Sequence, residues 1–349
     1  MLINKNNTDI VNQNSLNMQF NSATLQDISQ NCKILNSNFY LDSFNYFPIS
    51  NDFETFYTLF KRNDQNSLDH FYTKAFYENL IEKKNNFKVF KDSFVLGSSP
   101  SDNYYTNLFY FFPRIFFINE KKLKVLIHRN LSNNFRNLIL FFCKARGIEL
   151  SFNFIDDGFF KFENCLMPQF FKIQESIKIL KFFIELTLPN VESPNFRPKI
   201  YIRRGNANYR KIINEADLIE RLRKKDFEII NPEHFEILTQ MKIFSNAKII
   251  ISSHGSNLSN IAFCKQGTKI IEISPTIQNE SEKILVNRYK NISDIVGLEH
   301  ITINADTVGQ NDYPPLVKKY INSDILTMSS YYKNLILKVS EIEKLISNL

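Results

Sequence analysis

The chain has no tryptophan, and only 8 glycines, 4 cysteines and 5 histidines in 349 residues. Cys32, Cys143, Cys165 and Cys264 are widely separated, so neither a disulfide framework nor a cysteine metal site is indicated. Free buried thiols in a reducing compartment are the expectation. His70, His128, His234, His254 and His300 show no ligand spacing, which argues against metal-dependent chemistry. No Gly-x-Gly-x-x-Gly follows a strand, which weighs against an ordinary nicotinamide or flavin enzyme. There is no arginine-rich block, and we expect no nucleic-acid partner. No apolar run approaches the roughly 18 residues of a membrane span, and Met1–Ile10 lacks an apolar core of the kind found in signal peptides. The expected location is cytoplasmic, with peripheral contact at the inner face of a membrane.

What the chain has is Phe, Tyr and charge. The 34 Phe and 15 Tyr accompany abundant Asn, Ile and Lys, a compositional bias that weakens any single aromatic cluster as a sign of ligand binding. With 43% hydrophobic and 23% charged residues the chain is globular. A net charge of +7 and a pI near 9.0 favour anionic partners such as nucleotides, phosphorylated lipids and anionic glycans. The alternative is that Lys is simply the surface residue this composition prefers.

Residues 1–35 read as a loose lead-in, 36–190 as one domain, 191–313 as a second and 314–349 as a helical segment packing back on the first. From Phe94 onward the pattern is α/β. Strands are predicted at Ser93–Leu96, Arg114–Ile118, Lys124–His128 and Ile148–Ile155. Helices are predicted at Asn103–Phe112, ended by Pro113, at Ser132–Arg146, ended by Gly147, and at Phe171–Leu188. Pro189–Pro198, with three prolines, reads as a linker. Beyond it come strands at Lys199–Arg203 and Phe227–Ile230, and helices at Glu215–Lys225, capped by Asn214, and His234–Asn246. A buried strand at Ile249–Ile251, a polar loop at Ser252–Asn257, a short helix and a strand at Thr268–Ile273 follow. Alternation on both sides of the linker predicts two parallel-sheet domains. A polar loop between a parallel strand and a helix N-terminus presents backbone N–H groups to an anion.

Several residues in this second half fall into an ordered set. Tyr201-Ile-Arg-Arg-Gly-Asn-Ala-Asn-Tyr-Arg-Lys-Ile-Ile-Asn-Glu215 contributes Arg204, Ala207, Arg210, Asn214 and Glu215. Gln240, Phe244 and Ala247 follow, then His254-Gly-Ser-Asn-Leu-Ser-Asn260, Gly267 and Glu272. This set resembles the signature of glycosyltransferase family 61, which includes β-1,2-xylosyltransferases and protein O-linked N-acetylglucosamine transferases. Asn103-Tyr-Tyr-Thr-Asn-Leu-Phe-Tyr-Phe-Phe-Pro-Arg114 resembles a second, weaker family segment through Asn103, Tyr104, Leu108, Pro113 and Arg114. The chain departs from the pattern at Ser256, Asn257 and Ser259, where Ala, Gly and Thr are usual. It departs also at Thr106 and Tyr110, where His and an acid are common.

The resemblance implies a GT-B fold of two facing Rossmann-like domains and an inverting, metal-independent transferase. Its substrates would be a nucleotide sugar and a glycan or lipid-linked acceptor hydroxyl, in surface polysaccharide synthesis. Donor binding is expected from Arg204, Arg210, Asn214, Glu215, His254, Gly255, Ser256, Asn257, Ser259, Asn260 and Glu272. Guanidinium groups suit a diphosphate because they pair with it bidentately, and His254 could donate to the departing diphosphate. The readings of His254 as a loop tie, Asn214 as a helix cap and Glu215 as an arginine partner stand beside these. Asn103, Tyr104, Thr106 and Arg114 are expected on the acceptor side. Thr106 is no general base, leaving Asp156, Asp157 or Asp102 for that role. Asp156-Asp157 before Gly158 also reads as a turn. A catalytically inactive scaffold or sugar-binding protein is the alternative function.

Overall fold

A computed structural model describes residues 8–12, 33–43, 47–49, 87–98, 102–118, 121–187, 195–205, 207–277, 280–309 and 330–347. The chain divides into two compact units, Met1–Phe183 and Ile184–Leu349.

The first unit is built on β1 (Thr8–Asn12), β2 (Lys33–Asp42), β3 (Phe47–Ile49), β4 (Val89–Lys91), β5 (Phe94–Val95), β6 (Lys122–His128), β7 (Glu149–Ile155) and β8 (Phe159–Pro168). The order is β1-β2-β8-β5-β6-β7, with β3 on β2 and β4 on β8. β8, β5, β6 and β7 run parallel to their neighbours, whereas β1 and β3 pair antiparallel with β2, and β2 antiparallel with β8. The sheet is therefore mixed, not purely parallel, and Thr8–Asn12 of the supposed lead-in is one of its strands. Asp92 (φ 48°), just after β4, and Asn164 (φ 53°) in β8 are left-handed, and their side chains hydrogen-bond to one another.

After β5 comes a helical run over 104–117: an α turn Tyr104–Thr106, a π-helical stretch Asn107–Phe111 and a 3-10 stretch Phe112–Phe117. The strand predicted at Arg114–Ile118 is thus helical, and Pro113 does not end the helix. Pro113 lies in the first turn of the 3-10 stretch, where its missing N–H leaves no bond unmade. Every residue from Tyr105 to Ile118 is buried, so burial imposed no readable period. Helices α1 (Asn133–Ala145) and α2 (Ile173–Thr187) complete the unit. Phe112, Phe142 and Phe183 pack together, with Phe142 and Phe183 ring centres 4.4 Å apart.

The second unit runs β9 (Lys199–Ile202), α3 (Glu215–Lys224), β10 (Glu228–Ile230), α4 (Ile237–Asn246), β11 (Ile249–Ser253), a 3-10 helix Ser256–Phe263, β12 (Lys269–Pro275), α5 (Glu280–Val296), β13 (Glu299–Val308), β14 (Asn334–Ile336) and α6 (Val339–Ser347). The order is β10-β9-β11-β12-β13-β14. All neighbours are parallel except β14, which is antiparallel to β13. β11 is buried along its whole length, as its apolar run requires. Because β10 lies on one side of β9 and β11 on the other, the chain changes direction between β9 and β11. In open α/β sheets, that is where a crevice forms outside the strands' C-terminal ends.

The end of the chain corrects another expectation. Ser330–Leu349 is not one helix: a turn precedes β14, and α6 follows. Leu335, Leu337, Ile342 and Ile346 enter the core of the second unit itself, beside Ile251, Ile271 and Leu218.

Candidate functional site

β9 and β11 pair in register with Ser252 opposite Ile202, so the residues that follow each strand leave the sheet side by side. Arg203 and Arg204 leave β9; His254 and Gly255 leave β11. Arg204 Nη1 donates to the His254 carbonyl oxygen at 2.7 Å, and Arg210 Nε donates to the same oxygen at 2.9 Å. The two arginines and the histidine of the sequence reading therefore meet at one atom.

Arg210 is only 5% exposed. Its guanidinium lies 4.6 Å from the Tyr209 ring centre and 4.1 Å from that of Tyr331, and its Nη1 donates to the Tyr331 carbonyl at 3.1 Å. Its backbone is left-handed (φ 58°), with its N–H on the Lys333 carbonyl. Neither Arg204 nor Arg210 forms an ion pair among the described residues, and Arg204 Nε is buried without a hydrogen-bond partner among them. Burial, then the neighbouring Arg210, lowers the Arg204 pKa to about 10. Two cations drawn together without a carboxylate make a seat for an anion.

Gly255 leaves room for the end of the Arg204 side chain. Its φ of 174° is ordinary extended backbone, but a Cβ there would stand 1.8 Å from Arg204 Nη1.

The His254 ring has a task different from the one expected. It is fully buried and both nitrogens are engaged: Nδ1 with Glu272 Oε1, and Nε2 with the Tyr331 hydroxyl at 3.1 Å. The ring thus has no nitrogen turned to a phosphate, and His254 serves the site through its carbonyl. Burial lowers its pKa to about 4, outweighing the opposing pull of Glu272. Burial opposes the charge on Glu272, but His254 and His300 outweigh it and hold the carboxyl below its usual range. His300 Nε2 sits 2.9 Å from Glu272 Oε2, and His300 Nδ1 lies 2.7 Å from Ser293 Oγ. Glu272, expected to bind the donor, is thereby a buried acceptor between two imidazoles and ties down the His254 loop.

Other donor-side residues separate into supports and free groups. Asn214 does not cap α3 with its side chain; its Nδ2 donates to Leu337 O at 2.8 Å, and Leu337 N donates to its Oδ1 at 3.3 Å. Glu215 accepts from Arg203 Nη2 at 2.7 Å and from the Tyr201 hydroxyl at 3.1 Å. Asn260 is buried and donates to Gln240 Oε1 at 2.9 Å, tying the 3-10 helix to α4. Ser256 and Asn257 are partly exposed at the loop tip, and Asn257 Nδ2 reaches Arg203 O at 3.4 Å. Ser259 Oγ is buried and has no partner among the described residues.

In the first unit, Asn103 caps the 104–117 run: its Oδ1 accepts from Thr106 N at 3.0 Å and Thr106 Oγ1 at 3.2 Å. Tyr104 packs on Phe135. Arg114 is fully buried, with Nη1 on Leu96 O at 2.9 Å and its guanidinium 4.0 Å from the Phe170 ring centre. An acceptor cannot reach it there, so its place is in the core. Tyr110 is also core, packed edge-on against Phe170.

The three aspartates sit differently. Asp156 pairs with Arg129 at 2.6 Å, which holds its carboxyl below the usual range. Asp157, more than half exposed, lies 3.0 Å from Nε2 of the buried His128, whose Nδ1 accepts from Asn130 N at 3.2 Å. That partner fixes the proton of His128 on Nε2, facing Asp157. Asp102 accepts from Asn107 Nδ2 at 2.8 Å and from Ser132 N at 3.2 Å, and burial lifts its pKa to about 6.

Sequence reasoning missed Tyr331, His300 and Ser293. His300 lies on β13, the half-exposed strand next to that of Glu272, and that strand carried no apolar run to mark it. Tyr331 had no signal either, since its place depends on how the chain end returns to the sheet.

A search of curated proteins finds no match to this chain. The family model described as Glycosyltransferase 61 matches residues 35–271, a span that includes Arg204, Arg210 and the 254–260 loop and ends just before Glu272. With most of its length matched and the arginine–histidine constellation inside the match, the chain belongs to the glycosyltransferase 61 family.

Proposed function

We propose that this glycosyltransferase is an inverting, metal-independent enzyme of the GT-B class. It transfers a sugar from a nucleotide-sugar donor to a hydroxyl of a glycan or lipid-linked acceptor in surface polysaccharide synthesis. The observation that carries this reading is the pair Arg204 and Arg210, converging on the His254 carbonyl at the β9/β11 switch point with no carboxylate paired to them among the described residues. A diphosphate supplies the missing charge.

The chemistry is a single displacement. The acceptor oxygen forms a bond to the anomeric carbon as the bond to the diphosphate oxygen breaks, and that electron pair leaves with the diphosphate. Arg204 and Arg210 stabilise this growing charge, which is larger in the transition state than in the bound donor. Ser256, Asn257 and Ser259 supply further donors at the loop. The acceptor proton needs a base. Asp157, oriented by His128, and Asp102, with a pKa near working pH, have environments for it, whereas Arg129 ties up Asp156.

A second reading is favoured by Thr106 and Tyr110, which stand at acid/base positions of the family segment yet act as a cap partner and a core ring. In that reading the protein binds a nucleotide sugar without transferring it. Thermal-shift screening against nucleotide sugars, followed by hydrolysis and transfer assays of the donor found, separates the two. Turnover abolished in Arg210→Lys supports the enzyme; binding without any turnover supports the inactive form; no binding of any nucleotide sugar removes both.

A further inference from the structure

Tyr331 lies well beyond the family match, yet it touches the candidate site three ways. Its hydroxyl meets His254 Nε2 at 3.1 Å, its carbonyl accepts from Arg210 Nη1 at 3.1 Å, and its ring lies 4.1 Å beneath the Arg210 guanidinium. With neutral imidazoles, the hydrogen bonds around it run in one sense. An ionised Glu272 can only accept, so it takes the Nδ1 proton of His254 and the Nε2 proton of His300. His254 Nε2 is then a bare lone pair and accepts the Tyr331 proton, as His300 Nδ1 accepts from Ser293. Each proton position is assigned from its partners.

We propose that Tyr331 is a positioning residue of the donor site: its hydroxyl, bound to His254 Nε2, fixes the phenol ring that lies against the Arg210 guanidinium and so keeps Arg210 aimed, with Arg204, at the His254 carbonyl. The inference rests on the anion-site reading given above. A phenol tied at its hydroxyl is held against turning about its side-chain bonds, and the guanidinium stacked on its face is held with it. The Tyr331 carbonyl restrains Arg210 Nη1 independently. Backbone bonds from Arg210 N to Lys333 O and from Ile213 N to Leu335 O keep the segment in place when the hydroxyl is removed. The hydroxyl can therefore be tested apart from the rest.

The probe is inorganic pyrophosphate, titrated calorimetrically into wild type, Tyr331→Phe and Arg210→Lys, with side-chain 15N spectra of histidine-labelled protein. Wild type should bind and show His254 Nε2 unprotonated and hydrogen-bonded. Tyr331→Phe should keep its melting temperature within a few degrees and move the Nε2 resonance toward that of an unbonded nitrogen. It should also bind pyrophosphate about tenfold more weakly, the loss expected when oriented charge-assisted donors are misplaced. Arg210→Lys should lose most of the affinity. If Tyr331→Phe binds like wild type while Arg210→Lys does not, the anion site stands and the positioning role falls. Should Arg210→Lys bind like wild type, or wild type not bind at all, the site itself falls and the inference with it. If Tyr331→Phe does not fold, the wild-type spectrum decides: a protonated His254 Nε2 overturns the proposal, and a hydrogen-bonded lone pair supports it.

Discussion

A single residue, His254, divides its labour between ring and main chain. The ring is spent on burial and on Glu272; the carbonyl gathers the arginines. Its pKa of about 4, against 6.5 for a free histidine, means that the unfolded chain binds a proton first as pH falls. Stability from this group is whole above pH 6.5 and lost between 6.5 and 4, amounting to about 3 kcal/mol. The lowered pKa of Glu272 acts in the same direction at still lower pH. Asp102, whose carboxyl burial raises to about 6, opposes this between pH 6 and 4, so it is in Asp102→Asn that melting temperature should fall steadily on acidification below pH 6.5, and a profile flat from pH 7 to 4.5 in that variant would contradict the buried neutral imidazole. At Gly255 the backbone would accept alanine, but Arg204 would not, since the new methyl would occupy the place of its Nη1. Gly255→Ala should keep the circular dichroism of wild type and bind pyrophosphate about tenfold more weakly; unchanged affinity would show that Arg204 has no part in the site.

Among the elements, the loop over 207–214 is the one whose conformation needs support from outside. Left-handed Arg210 is disfavoured by its Cβ, and three backbone bonds between 210–213 and 333–335 compensate for it. Asn214 completes the join with two bonds to Leu337. Asn214→Ala leaves both Leu337 groups unpaired and should cost about 1–3 kcal/mol, seen as a lower urea midpoint with the same slope; a midpoint equal to wild type would show that water replaces the side chain. The distinction between what sequence could and could not show follows the same lines. β6, α1, β7, α3 and β11 were legible because apolar spacing, Gly147 and β-branched runs all pointed one way. The strand expected at Arg114–Ile118 failed because a segment buried on every side has no period to read. β8, α5, β13 and β14 were not anticipated. Arg204, Arg210 and His254 could be named from their order along the chain, but not the sharing of one carbonyl, which depends on the register of β9 with β11. Asn214 looked like a cap because Asn before a helix usually is one; tertiary partners outbid the local one.

For the whole molecule, charge and chemistry make two predictions. Stabilisation of the leaving group by guanidinium alone predicts that transfer persists in excess EDTA, and loss of turnover restored by a divalent cation would refute it. If Asp157 is the base, Asp157→Asn should lower kcat about a hundredfold or more with donor affinity unchanged, while Asp102→Asn, which keeps an acceptor oxygen for Asn107 and Ser132, should leave kcat within a few-fold of wild type. The opposite pattern in a steady-state assay would move the role to Asp102.

The return of the chain end to the arginine loop has a consequence for biosynthesis. A ribosome delivers Arg204 and Arg210 long before residues 331–337, so β9 to β12 can assemble while the loop still lacks its anchor. The arginine loop is thus anchored only once residues 331–337 have been made. A chain stopped before residue 331 would carry β9 to β12 in their native order but lack the partners that hold Arg210 in its left-handed conformation.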